Sequence, residues 1–200
     1  RPNGAEIFSV QERFLRANLA AGRNDWATVL AVHQELARSP FLLEELVTSS
    51  YLFDHFRIVA LALEHRSQHE KAIDYWRRAI TVRPQDPQPH YHIGTAMHRL
   101  GKNAQAKEAY LQGLALKPDD PDLLYNLGVT YMRLGELDES LTILQKSAAI
   151  KPDADVFVAL GQVYQHRGDI DAMRASFGTA MRLRPDHSQT ARIRKALEQE

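Results

Sequence analysis

The sequence predicts an all-α fold of about five stacked helical hairpins, closed by a C-terminal capping helix. Three observations predict it. Proline recurs at Pro84, Pro118, Pro152 and Pro185, at intervals of 34, 34 and 33 residues. Glycine keeps step in two columns, Gly94, Gly128 and Gly161, then Gly101, Gly135 and Gly168. Within a period the apolar residues are spaced as on helices. Leu124, Leu127 and Tyr131 share one face of a first helix, and Leu141, Leu144 and Ala148 one face of a second. A unit of this length cannot bury its apolar face alone, so it stacks on its neighbours.

Each element has its own reason. Residues 6–21 and 25–38 read as two amphipathic helices separated by AGRND, with Trp26 and Val29 in the second: a worn copy ending near Pro40. From Pro40 to Pro84 is 44 residues, ten more than the period, and the surplus FLLEELVTSSYL predicts a short helix at 41–48. Residues 1–52 thus make a degenerate hairpin plus an irregular insert. Four clear copies follow, at 53–86, 87–120, 121–153 and 154–187. In the first of them Ala60 and Ser67 stand in the glycine columns. Trp76, Tyr110, Leu144 and Phe177 form a large apolar column, and Ala79, Gly113, Ser147 and Ala180 a small one. Gly135 lies between two helices, where the chain reversal needs a positive φ. Asp86-Pro87 and Asp120-Pro121 place a capping carboxylate before a proline at the first helical position, and Asp153 stands likewise before Ala154. Gly94, Gly128 and Gly161 fall inside helices, where glycine costs roughly 1 kcal/mol against alanine. Close approach of the paired helix is the expected compensation. At the end, Ser188 caps a helix running to Gln199, and Ile193, Ala196 and Leu197 give it an apolar stripe that would shield the last hairpin.

Composition excludes several function classes. Twenty-five Lys and Arg balance twenty-five Asp and Glu, which argues against a dedicated nucleic-acid or polybasic membrane binder. No apolar run approaches the ~20 residues of a membrane span. With 44% hydrophobic and 25% charged residues, 200 residues suffice for a real core. Cysteine is absent, so disulfides, thiolate metal sites and cysteine nucleophiles are excluded. That absence suits a reducing compartment, slightly favouring cytoplasm, and is compatible with a periplasm. The opening RPNGAE, without methionine or apolar leader, is expected of a processed form or a part of something longer.

The segments YHIGTAMHRLG, YNLGVTYMRLG and VALGQVYQHRG are each followed by a second helix and a proline at the same offset. In this the chain resembles the tetratricopeptide repeat (TPR) family over 53–187. The resemblance implies a right-handed α-α superhelix and a non-enzymatic scaffold that holds a protein or peptide partner on its concave face. It also implies which columns of each first helix face that groove. Arg57, Ile58, Leu61 and His65 would do so in the first clear copy, and Tyr91, His92, Thr95, His98 and Arg99 in the next. Tyr125, Asn126, Val129, Met132 and Arg133 follow, then Val158, Ala159, Gln162, Gln165 and His166. Of these, Arg57, Tyr91, His92, Arg99, Tyr125, Asn126, Met132, Arg133, Gln162 and His166 are the expected partner-binding residues. Such a face offers flat aromatic area, amides for a peptide backbone and cations for acidic groups.

Some relatives grip a C-terminal carboxylate with a Lys/Asn, Asn, Lys/Arg clamp. Here Leu61 and His92, then Asp122, stand at clamp positions, and only Arg57 or Asn126 fits, so that role is disfavoured. An asparagine ladder is reduced to one rung, with Ile58, His92, Asn126 and Ala159 in its column.

No enzyme chemistry emerges from the pattern. Among the nine histidines, His90 and His92 point to different helix faces, and His65 and His69 straddle a turn, so no metal site or other cofactor is expected. His92, His98 and His166 on the groove suggest a pH-sensitive partner affinity, since a free imidazole titrates near ~6.5. The acidic PQDPQ, PDDPD and PDADV fall at junction turns, where capping accounts for them. No phosphate loop or nucleophile elbow is present in the sequence. An alternative role is assembly, as a subunit or lipoprotein-type domain of a bacterial envelope, secretion or pilus apparatus. The insert, the worn hairpin or the convex face would then make the contact. Eighteen Arg against seven Lys and compact Pro-Asp turns fit a bacterial origin.

Overall fold

Every described element is an α-helix. The computed structural model describes residues 4–38, 49–185 and 193–194. The helices are α1 Gly4–Gly22, α2 Trp26–Ala37, α3 Ser49–His65, α4 His69–Val82, α5 Gln88–Arg99, α6 Asn103–Leu116, α7 Pro121–Leu134, α8 Leu137–Ile150, α9 Ala154–Arg167 and α10 Ile170–Leu183. They fall in two compact units, Arg1–Gly101 and Lys102–Glu200. The boundary lies in the turn of the second clear copy, after α5. The helix predicted at 41–48 lies outside the described residues. Of the one predicted at 188–199, residues 193–194 are described and are helical.

Helix starts follow the carboxylates. Asp120 accepts hydrogen bonds from the backbone N–H of Asp122 and Leu123, both at 3.1 Å. Asp153 accepts from Asp155 at 2.9 Å. Asp86 accepts from Gln88 at 2.9 Å, one residue past the proline that opens α5. Two further caps escaped the sequence reading: Asp25 accepts from Thr28 and Asp169 from Ala172, each at 3.1 Å.

The turns share one conformation. Gly101, Gly135 and Gly168 have φ of 74°, 79° and 75°, and Ser67 and Asn24 both adopt φ 56°. Asn24 therefore fixes the register of the worn hairpin. From Asn24 to Ser67 is 43 residues, so the insertion counted on this turn is nine residues beyond the 34-residue period, where the prolines gave ten.

In the second unit the two helices of a hairpin approach closely at Gly128 and Gly161. A Cβ at Gly128 would stand 2.6 Å from Leu144 Cγ, and one at Gly161 would stand 2.3 Å from Phe177 Cε1. The contact at Gly128 is reinforced by Ser140, whose buried Oγ donates to the Gly128 carbonyl at 2.7 Å. Trp76, Tyr110, Leu144 and Phe177, the large apolar column, are all buried. Surface ion pairs, part-buried at Lys107–Glu136 and otherwise exposed, link successive copies of the second unit: Lys107–Glu136 at 2.9 Å, Lys146–Asp119 at 3.0 Å and Arg167–Asp138 at 2.6 Å. Exposed pairs each contribute about 0–1 kcal/mol, so the core carries the stability.

Candidate functional site

The first helices of the clear copies present the expected residues in two different states. In the first unit, α3 and α5 bring Leu61 and His65 of one copy beside Thr95 and Arg99 of the next, around a pocket of about 390 Å³. Trp26 of α2 closes one side of this pocket, its ring 5.9 Å from that of His65. Arg99 is exposed. Arg57 is engaged by Asp54 at 3.3 Å, one turn earlier on its own helix.

His92 is not free on that face. Its ring stacks on buried Trp76, with centroids 4.3 Å apart and planes 12° from parallel, and Tyr91 meets its edge at 5.2 Å. Glu64 binds both partners: it accepts from Trp76 Nε1 at 2.7 Å and pairs with His92 Nδ1 at 3.2 Å. The imidazole is thus a positioned link between α3, α4 and α5. Of the three histidines expected on the groove, His92 is engaged in this way. His166 is the exposed one.

In the second unit, α7 and α9 present a half-buried apolar strip. Tyr125, Val129, Met132 and Phe157 lie over a buried cluster of Leu144, Val156, Ala159, Leu160 and Val163. Arg133 is exposed at the C-terminal turn of α7, beside this strip in sequence. Asn126 turns its amide back onto its own helix, donating to the Asp122 carbonyl at 2.7 Å. Gln162 is half-buried and Gln165 exposed.

Three residues placed on the open face by the column argument are core. Val158 and Ala159 are 4% and 3% exposed. Val158 packs with Met173, Phe177, Ala180 and Ile193. Ile193 comes from the C-terminal segment, so what would be an open column in an inner copy is covered in the last one. Phe157 takes the half-exposed place instead. Ile58, in the first unit, is likewise buried at 2%. The sequence signal for Phe157 was an aromatic one residue before the expected column, in the copy adjoining an apolar C-terminal stripe.

Among the described residues no group of three or more His, Asp or Glu side chains is placed to hold a metal ion. Nor is any described helix long and apolar enough to cross a membrane.

No curated protein matches this sequence significantly. Solved structures do. The chain is similar to YrrB, described as a TPR protein with an unusual peptide-binding site, at 20% identity over 90% of this chain and 88% of that one, with a TM-score of 0.72. It is similar to a MamA fragment (41-end) from Desulfovibrio magneticus RS-1 at 17% identity, over 90% and 97%, with a TM-score of 0.75. TTC0263, a thermophilic TPR protein in Thermus thermophilus, matches at 17% identity over 94% and 98%, with a TM-score of 0.64. At these identities the likeness shows the fold: a TPR solenoid. Family profiles match the sequence itself, as TPR repeats at 65–101 and 94–135 and as tetratricopeptide repeats at 121–154 and 154–187. With its periodicity, its left-handed turns and matches running through 65–187, more than half of its length, the chain belongs to the tetratricopeptide repeat family.

Proposed function

We propose that the chain is a non-enzymatic interaction scaffold that holds a polypeptide partner on the faces of its first helices. The observation that carries this reading is the strip of Tyr125, Val129, Met132 and Phe157, apolar and only half-buried, on α7 and α9. Flat aromatic and thioether surface of this kind supplies adaptable contact area for a peptide, and Arg133 adds a cation for acidic groups. Family membership supports the same class of role, and YrrB is a relative of the fold with a peptide-binding site.

The test is affinity capture from an extract of the source cells, comparing the parent chain with a Tyr91→Ala/Tyr125→Ala/Arg133→Glu variant. All three positions are at least partly exposed, so circular dichroism is expected to show unchanged helicity. A protein retained by the parent and lost by the variant supports the reading. Equal retention by both moves function off the first-helix faces.

A second reading, assembly through the worn hairpin, is favoured by Leu15 and Leu19. They lie one turn apart on α1 and are 60% and 55% exposed. In light scattering, Leu15→Glu/Leu19→Glu is expected to dissociate any oligomer formed through this face. An oligomer that survives the pair of substitutions excludes this contact.

A further inference from the structure

The second helices of the first unit carry a pocket that the scaffold reading does not use. It has a volume of about 480 Å³ and lies among α2, α4 and the α3–α4 turn. Its floor is apolar, made by Leu30, Val59 and Leu63. Its rim is cationic: Arg66, Lys71 and Arg78 surround it, against the single carboxylate of Asp74. Asp74 is engaged by Arg77 at 3.6 Å, outside the pocket's lining. Among the described residues no carboxylate pairs with Arg66, Lys71 or Arg78. The guanidinium of Arg78 is instead held over the Tyr75 ring, 5.0 Å from its centroid.

A part-buried chain of hydrogen bonds sets what Tyr75 offers. Its hydroxyl lies 2.6 Å from His33 Nε2, and His33 Nδ1 lies 3.1 Å from His55 Nε2. His55 is 1% exposed, and its Nδ1 has no hydrogen-bond partner. A buried N–H without an acceptor is rare, and a bare acceptor is less costly. The proton of His55 therefore sits on Nε2 and is donated to His33 Nδ1. His33 then carries its own proton on Nε2 and donates it to the Tyr75 oxygen. The Tyr75 hydroxyl hydrogen is left for the pocket. Gln34 and Gln68 add amide donors at the rim.

We propose that this pocket binds an acidic segment of a polypeptide, with a carboxylate on Tyr75, Arg78, Lys71 and Arg66 and an adjoining apolar side chain on the Leu30–Val59–Leu63 floor. Charge complementarity selects the carboxylate. The floor selects a peptide over a bare anion, because an inorganic ion gains nothing from buried hydrocarbon. The cations and hydroxyl lie on second helices and a turn of the first unit and share no residue with the first-helix strip, so either site can fail alone.

The test is fluorescence anisotropy of the full chain with a short labelled peptide of alternating glutamate and leucine. Comparison peptides replace every glutamate by glutamine, or every leucine by serine. The parent is expected to prefer the glutamate–leucine peptide to both, with affinity falling as salt rises. Lys71→Glu/Arg78→Glu, both at exposed positions, is expected to weaken binding at least about tenfold. Tyr75→Phe, which keeps the ring and removes the donor, weakens it less. Equal binding of glutamate and glutamine peptides, or of parent and charge-reversed chain, overturns the proposal. So does a glutamate–serine peptide that binds as well and is displaced by inorganic phosphate, since the pocket would then be an anion site only.

Discussion

Gly161→Ala is expected to destabilise the second unit by about 1–3 kcal/mol, although alanine is the better helix former. Gly178→Ala, on the helix that packs against Gly161, is expected to stabilise it by up to ~1 kcal/mol. The two sites differ in what the new methyl meets. At Gly161 it would lie 2.3 Å from Cε1 and 2.4 Å from Cδ1 of Phe177. That ring is 4% exposed and rests on Met173, Ala180 and Ile193, so it cannot swing away without opening the cluster. At Gly178 the nearest atom is Arg182 Nη1 at 3.7 Å, an ordinary contact with the end of a flexible side chain. Gly178→Ala therefore keeps the propensity gain, and Gly161→Ala loses more to overpacking than it gains. Equilibrium denaturation of the full chain measures both. Phe177→Leu supplies the decisive control: if the ring is the obstacle, Gly161→Ala in that background should cost markedly less than in the parent. A Gly161→Ala chain as stable as the parent would show that the helices are free to separate.

Features set by local sterics were legible in the sequence. Gly128 and Gly161 had a reason visible in advance, since a close neighbour justifies glycine inside a helix, and Leu144 and Phe177 are those neighbours. Asp120 and Asp153 announced their helices because a cap involves residues two or three apart. What stayed hidden depends on which segments meet. Val158 is core in a cluster with Met173, Phe177, Ala180 and Ile193, the last of them 35 residues away, and no column rule contains that grouping. His92 reads as a groove residue until Trp76 and Glu64, on two other helices, are found against it. Asn24 carries the same turn as Ser67 and the glycines, but a polar residue in a left-handed turn is a weak signal beside glycine. Tyr75, His33 and His55 were not singled out at all. They stand 42 and 22 residues apart in sequence and belong to no repeating column.

That triad is expected to make the first unit sensitive to acid. Stability is expected to be flat above pH 6.5 and to fall as pH drops, with a slope approaching ~1.4 kcal/mol per pH unit for His55 alone. Burial holds the His55 imidazole down to about 3, and the neighbouring His33 adds a smaller effect in the same direction. His33 is also lowered, first by burial and then by the Arg78 guanidinium. Both rings thus take up a proton less readily in the folded chain than in the unfolded one, where a histidine does so near pH 6.5. The unfolded chain binds more protons below that pH, so the folded state loses ground until His55 itself protonates at about pH 3. For His55 the cumulative loss is on the order of 4–5 kcal/mol, comparable to the whole stability of a small domain. Protonation on the buried Nδ1 would create an N–H with no acceptor, and it would set two cations side by side if His33 charged as well. The measurement is denaturant stability against pH between 7 and 5, above the main carboxylate range. His55→Leu removes the titrating group and fills its place with hydrocarbon against Phe14, whose ring meets that of His55 edge-on at 5.1 Å. The variant is expected to have a visibly shallower acid limb, whatever its absolute stability at neutral pH. A slope unchanged by His55→Leu would assign the acid sensitivity to other groups, and would mean that water reaches His55 well enough for it to titrate as it does in the unfolded chain.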